Sequence, residues 1–165
     1  MNQNLIPIEK AHRDRLARLR ARREEILSMP PEKALAHIVE EKHPAALVHS
    51  FPDQDFYFMV QEIGLGDAMP LMALASDRQR ECLLDMEGWH RDRLHPAVMT
   101  GWLNAMLMAD RDRVVTWLLT DQTELMELIL FRNILVVIRD LDEDPSMFPG
   151  DFFTHDDVYY VRILD

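Results

Sequence analysis

A single cysteine, Cys82, stands in a chain of 165 residues. It excludes an internal disulfide framework and gives a reducing cytosol as the expected compartment. Its place beside Leu83 and Leu84 suits a packed structural thiol. Only five glycines are present. Gly64-Leu65-Gly66 lacks the third glycine and the following lysine of a phosphate-cradling loop, so a nucleotide-binding fold is not expected. The four serines are Ser28, Ser50, Ser76 and Ser146. None lies in a Gly-x-Ser-x-Gly elbow, and Ser50 and Ser76 read as helix caps. Among seven histidines, none forms the His-Glu-x-x-His spacing of a zinc hydrolase helix. No apolar run reaches the roughly 18 residues of a membrane span. The longest, Leu125 to Ile138, is interrupted by Glu127, Arg132 and Asn133. The first ten residues lack the apolar core of a secretion signal, so none is expected.

Positive charge is scarce too, and unevenly placed. The net charge is -11. Residues 1–31 hold seven Arg or Lys against four Asp or Glu, whereas residues 32–165 hold eleven against twenty-five, a net of -14. An acidic body disfavours nucleic acid and anionic membranes, both of which are polyanions.

What is there is helix. Glu9 to Leu27 contains no Pro or Gly and is rich in Arg, Leu and Ala, strong helix formers. Its apolar positions are few, with Leu16, Leu19, Ile26 and Leu27 as the expected docking anchor of a basic arm. Pro30-Pro31 ends this arm. Short helices follow, opened by Pro31, Pro44, Pro52, Pro70 and Pro96 near their first turns. Gly64-Leu65-Gly66 is a stop signal. Ser76 and Gln79 have the capping-box spacing, and Asp110 and Asp121 are further cap candidates. Leu125 to Ile138, apolar nearly all round, predicts one long buried helix. Trp89, Trp102 and Trp117 are expected in the core, and most of the eleven methionines with them. Phe152 to Leu164 reads as a hairpin, Phe152–Thr154 against Val158–Leu164, because Val, Tyr and Ile favour strands. Thr154 to Asp157 equally has the form of a helix cap. Ser50 to Gln54, Ala75 to Gln79 and Ala109 to Arg113 suggest a loose repeat of about 25–35 residues, the scale of helical solenoids.

Asp140, Asp142, Asp144 and Asp151 are the candidate metal ligands. They fall at positions 1, 3, 5 and 12 of a calcium-loop template, where hard cations want converging carboxylates. Position 6 is Pro145 rather than the glycine of that turn, and a solvated acidic loop is the competing reading. Mg2+ or Ca2+ is the only cofactor the residues suggest.

The run Phe51-Pro52-Asp53-Gln54-Asp55-Phe56-Tyr57, with Gln61-Glu62-Ile63-Gly64, Asp67-Ala68, Leu74-Ala75-Ser76, Gln79, Leu84-Asp85, Trp89, Asp92 and Trp102-Leu103, resembles an uncharacterised bacterial family. The likeness runs from Arg22 to about Leu141, and members of that family tend to be longer. More distantly, the short helices resemble the cytosolic N-terminal domain of MgtE magnesium transporters and the repeats of the flagellar rotor protein FliG. These resemblances imply a helical superhelix used for regulation or docking, and they carry over no catalytic residue.

The expectation is therefore an all-α fold, a superhelix or irregular bundle. A basic arm (1–30), a helical-repeat domain (31–141) and an acidic loop with a hairpin (142–165) would make it up. The expected function is a non-enzymatic, cytoplasmic protein-interaction module, binding another protein, a second copy or more of a longer parent chain, without nucleic acid or membrane insertion. The alternative is a regulatory domain responsive to divalent cations, as the MgtE likeness implies.

Overall fold

The computed structural model describes the backbone of residues 5–140 and 142–164, and side chains from residue 9 onward. The chain forms two compact units, Met1–Val114 and Val115–Asp165. The boundary expected between residues 141 and 142 thus falls inside the second unit. More than half of the described residues are helical.

The first unit holds α1 (Leu5–Leu27), α2 (Pro31–Val39), α3 (Pro44–Val48), α4 (Asp53–Ile63), α5 (Met69–Ala73), α6 (Asp77–Gly88) and α7 (Pro96–Ala109), and it ends inside α8 (Arg111–Thr120). Prolines set many of the starts. Pro31, Pro44, Pro70 and Pro96 occupy the first turns of their helices, where a missing N–H costs nothing. Pro52 lies one position earlier, at the N-cap of α4. Gly64 ends α4 with φ at +89°, a conformation that side chains with a Cβ rarely adopt. Ser76 and Gln79 close the capping box of α6, and Asp110 accepts the Arg113 N–H at the start of α8. Ser50 caps no helix: its hydroxyl donates to the Leu47 carbonyl.

α2 is the hub of this unit, packing on α1, α3, α4 and α5, while α6 lies against α4 and α7, and α5 against α7. Ile26, Ile38, Val48, Phe56, Val60, Leu71, Leu83 and Met106 fill the interior. In a solenoid each repeat touches only its sequence neighbours. The contacts of this unit, α2 with α5 and α5 with α7 among them, show short helices packed on one another and do not show a superhelix. The proposed repeat also places Gln54, which is exposed, on Gln79, which is buried. A two-residue ladder, β1 (Trp89–His90) with β2 (Arg93–Leu94), joins α6 to α7. Arg91 and Asp92 turn it with positive φ at both positions, as a tight hairpin requires. That ladder leaves Trp89 exposed rather than in the core expected for it, whereas Trp102 and Trp117 are buried.

The second unit departs most from expectation. The long buried helix stops early: α9 is Thr123–Asn133, and no described residue of it is buried. Its N-cap is Gln122, while Asp121 instead accepts the Thr120 hydroxyl. The apolar run continues as strand β3 (Ile134–Ile138). Val136, Val137 and Ile138 in succession are stiff at χ1 and suit a pleated surface better than a helix. The Asn133 side chain donates to the Ile129 carbonyl and helps close the helix end.

The expected hairpin is present in part, and its second strand has another main partner. Strand β4 (Tyr159–Ile163) pairs antiparallel with β3, with Ile134 opposite Ile163 and Ile138 opposite Tyr159. Phe152–Thr154 supplies only one bridge, Phe153 to Val161. Thr154 to Asp157 forms the turn into β4, where the Asp156 carboxylate accepts the N–H groups of Val158 and Tyr159.

Candidate interaction surfaces

Among the described residues, carboxylates of the acidic loop are engaged locally. The Asp144 carboxylate accepts the Ser146 N–H at 2.9 Å and starts a 3-10 turn, Pro145–Met147. That hydrogen bond holds its pKa below the ordinary carboxylate range. Asp151 faces Arg162 at 3.3 Å, and the Asp140 carbonyl accepts the Glu143 N–H. Asp142 is exposed. Among the described residues no group of three or more His, Cys, Asp or Glu could hold a metal ion.

The arm is anchored at one end. Of the four expected anchors, Ile26 is fully buried, Leu19 is half-buried, and Leu16 and Leu27 are exposed. Arg22 bonds Glu41 at 2.6 Å and Glu25 at 2.6 Å. These two carboxylates raise its pKa, Glu25 contributing most. Arg23 donates to the Ser50 carbonyl. The last turns of α1 are therefore held by α2 and α3, while residues 9–18 lie exposed. Where α1 passes α3, a groove of about 870 Å3 opens, floored by Leu19, Pro44, Ala45, Ala46 and Leu47 and bordered by Arg15, Arg18, Lys42 and His43.

Two buried polar residues escaped the sequence reading in this role. Gln79, read only as a capping residue, also donates its side-chain amide to the Val48 carbonyl at 2.8 Å and the Phe51 carbonyl at 3.2 Å. Arg80 is buried beside it. It pairs with Asp77, and its Nη2 has no hydrogen-bond partner among the described residues. Burial first, and Arg113 second, lower its pKa. Nothing in the spacing of the sequence distinguishes Arg80 from the exposed arginines. Cys82 is half-buried, and burial, with Asp53 and Asp85, pushes its thiol pKa up. It is thus a poor nucleophile.

The C-terminal sheet carries the largest contrast. On one face the stack of Phe148 on Tyr160, with centroids 3.8 Å apart, buries Tyr160. Phe152 packs edge-on to Phe148, and Arg162 lies over the Phe152 ring. Cross-strand partners share a face, so Ile134, Val136 and Ile138 lie on the other face with Ile163, Val161 and Tyr159, and Phe153 joins them through its bridge. Val136, Ile138, Phe153, Tyr159 and Ile163 of this face are 47–68% exposed. The sequence signalled a strand at β4 but a helix at β3, and it could not signal that one face of their sheet would stay exposed.

These features belong to a helical chain with a small C-terminal sheet, and no described helix is long and apolar enough to cross a membrane. Residues 10–165 match a family of unknown function, DUF6178, and the chain belongs to it. No curated protein and no solved structure matches the chain. The resemblance to an uncharacterised family therefore holds, while the likeness to MgtE and FliG finds no support.

Proposed function

We propose that the chain is a non-enzymatic protein-interaction module, with the apolar face of the C-terminal sheet as its binding surface. The observation that supports this reading is the cluster of Val136, Ile138, Phe153, Tyr159 and Ile163, exposed side by side on one face. Scattered apolar side chains are ordinary on a protein surface, whereas a contiguous apolar patch marks an interaction site. Aromatic anchors such as Tyr159 and Phe153 are the residue types that dominate binding energy at such sites.

A photo-crosslinking residue at position 163, in cells that express the chain, tests the reading. A discrete adduct is expected from position 163 and not from position 33, which is exposed on α2. A folded chain that gives no adduct from position 163 rejects it.

A further inference from the structure

The outer edge of β3 is open. The Asn133 carbonyl accepts the Leu164 N–H, and the Arg139 N–H donates to the Val158 carbonyl. Val161 exchanges both of its backbone bonds with Phe153, on the far side of β4. In an antiparallel ladder, successive residues point their N–H and C=O groups alternately to opposite sides. The odd-numbered residues of β3 therefore bond to β4, and Ile134, Val136 and Ile138 aim their backbone groups outward. The Ile134 N–H donates to the Leu130 carbonyl. The backbone groups of Val136 and Ile138 have no partner among the described residues. An all-apolar edge without charge, proline or bulge is a template for another strand, and two strands alone are marginal in water.

We propose that a second copy of the chain pairs on this edge, β3 against β3, antiparallel about a twofold axis at Val136. The inference rests on the C-terminal sheet being an interaction surface, and it names one occupant. Two observations favour a copy over another strand. The outward groups are self-complementary: Val136 meets Val136, and the Ile138 N–H meets the Ile134 carbonyl, which leaves the already bonded Ile134 N–H unused. The flanking charges are self-complementary as well. Arg132 stands in the last turn of α9, two residues before β3, and Asp140 stands two residues after it; neither has an ion pair among the described residues. A twofold centred on Val136 sets the C-terminal end of each β3, with Asp140 beyond it, beside the other copy's α9 end, which carries Arg132. Arg139, at the same end as Asp140, is occupied by the Asp157 and Glu143 carbonyls of its own chain, and opposite charges brought together in this way favour one register of a pairing.

Sedimentation velocity of the full chain at micromolar concentration is expected to show a dimer. Val136→Pro removes only an N–H that points outward, a place where a strand tolerates proline. It is expected to give a monomer with an unchanged circular dichroism spectrum. Arg132→Asp and Asp140→Arg are each expected to weaken the dimer several-fold, and the double variant to restore it. A monomeric native chain overturns the inference, as does a dimer indifferent to Val136→Pro. Single variants that weaken the dimer, with no recovery in the double variant, overturn the register. A monomer that still crosslinks from position 163 to another protein ends this inference alone. A monomer without any adduct ends the interaction reading too.

Discussion

Arg80 shows how little of a residue's environment its neighbours in the sequence reveal. It sits one turn into α6 among Asp77, Arg78, Gln79 and Glu81, a stretch that reads as a solvated helix start. Yet Arg80 and Gln79 are the buried polar pair of the core. Gln79 satisfies its burial through two carbonyls, that of Val48 at the end of α3 and that of Phe51 between α3 and α4. Arg80 has one half-exposed carboxylate and a second cation, Arg113, close enough to depress its pKa. Desolvating a charge is costly unless it is fully paired, so replacing it by an apolar side chain of similar length is often neutral or stabilising. Arg80→Met is therefore expected to leave the free energy of unfolding within about 1 kcal/mol of the native chain, or to raise it. Asp77→Ala keeps the buried cation and removes its partner, which is expected to cost about 1–3 kcal/mol. Urea denaturation of both variants checks the pair. A severe loss in Arg80→Met would show that the guanidinium is bound more completely than its single carboxylate implies.

At the scale of elements, legibility followed the chemistry that is local. The prolines at helix starts, Gly64 and the Ser76 capping box act within one turn, and each could be read from its own residues. The arm was legible as a helix for the same reason, because its composition alone favours one. What failed was non-local. Whether Ile134–Ile138 extends α9 or becomes a strand depends on the distant segment Tyr159–Ile163 being available, and an apolar run has no periodicity that decides it. The arm also illustrates the limit of pattern. Its four expected anchors look alike on paper, but only Ile26 reaches the interior, near the end of α1 where Arg22 and Arg23 bond Glu41 and the Ser50 carbonyl. Ile26→Ala is expected to destabilise the first unit by about 2–5 kcal/mol, the range for deleting a fully buried aliphatic side chain. Removing residues 1–14 takes away only exposed side chains among those described, and it is expected to leave the melting temperature unchanged within about 1 °C, since surface changes are usually worth under 0.5 kcal/mol. Calorimetry of the two variants separates the anchored end from the free one. Equal losses would mean that the whole arm is docked.

At the scale of the molecule, the charge asymmetry was fully legible and the site was not. A net of +3 over residues 1–31 against -14 over the remainder is visible by counting. The uncovered face and open edge of the C-terminal sheet arise only once β3 and β4 pair. The same asymmetry frames the question of cations. An acidic chain attracts Mg2+ through its field whether or not it has a site, and that nonspecific attraction is matched by any salt of equal ionic strength. A specific site differs, because a ligand that binds only the folded chain stabilises it by mass action, by about 2.7 kcal/mol at a hundredfold excess over Kd. Such a site needs several oxygens converging on one point. Here Asp144 is engaged with a backbone N–H, Asp151 with Arg162, and no cluster of three ligand residues forms among those described. Melting curves in millimolar Mg2+ or Ca2+ are therefore expected to coincide with those in NaCl of matched ionic strength. Asp144 also gives the control an internal check. Its pKa is depressed by its hydrogen bonds to Ser146, so the stability this contact contributes is present above the unfolded aspartate pKa and is lost as pH falls through the folded one. A bound cation would compete with the proton at that carboxylate and hold the turn together further into acid. If Mg2+ raised the melting temperature beyond the matched salt, and did so less in Asp144→Asn, the acidic loop would be a cation site and the regulatory reading would displace the interaction module.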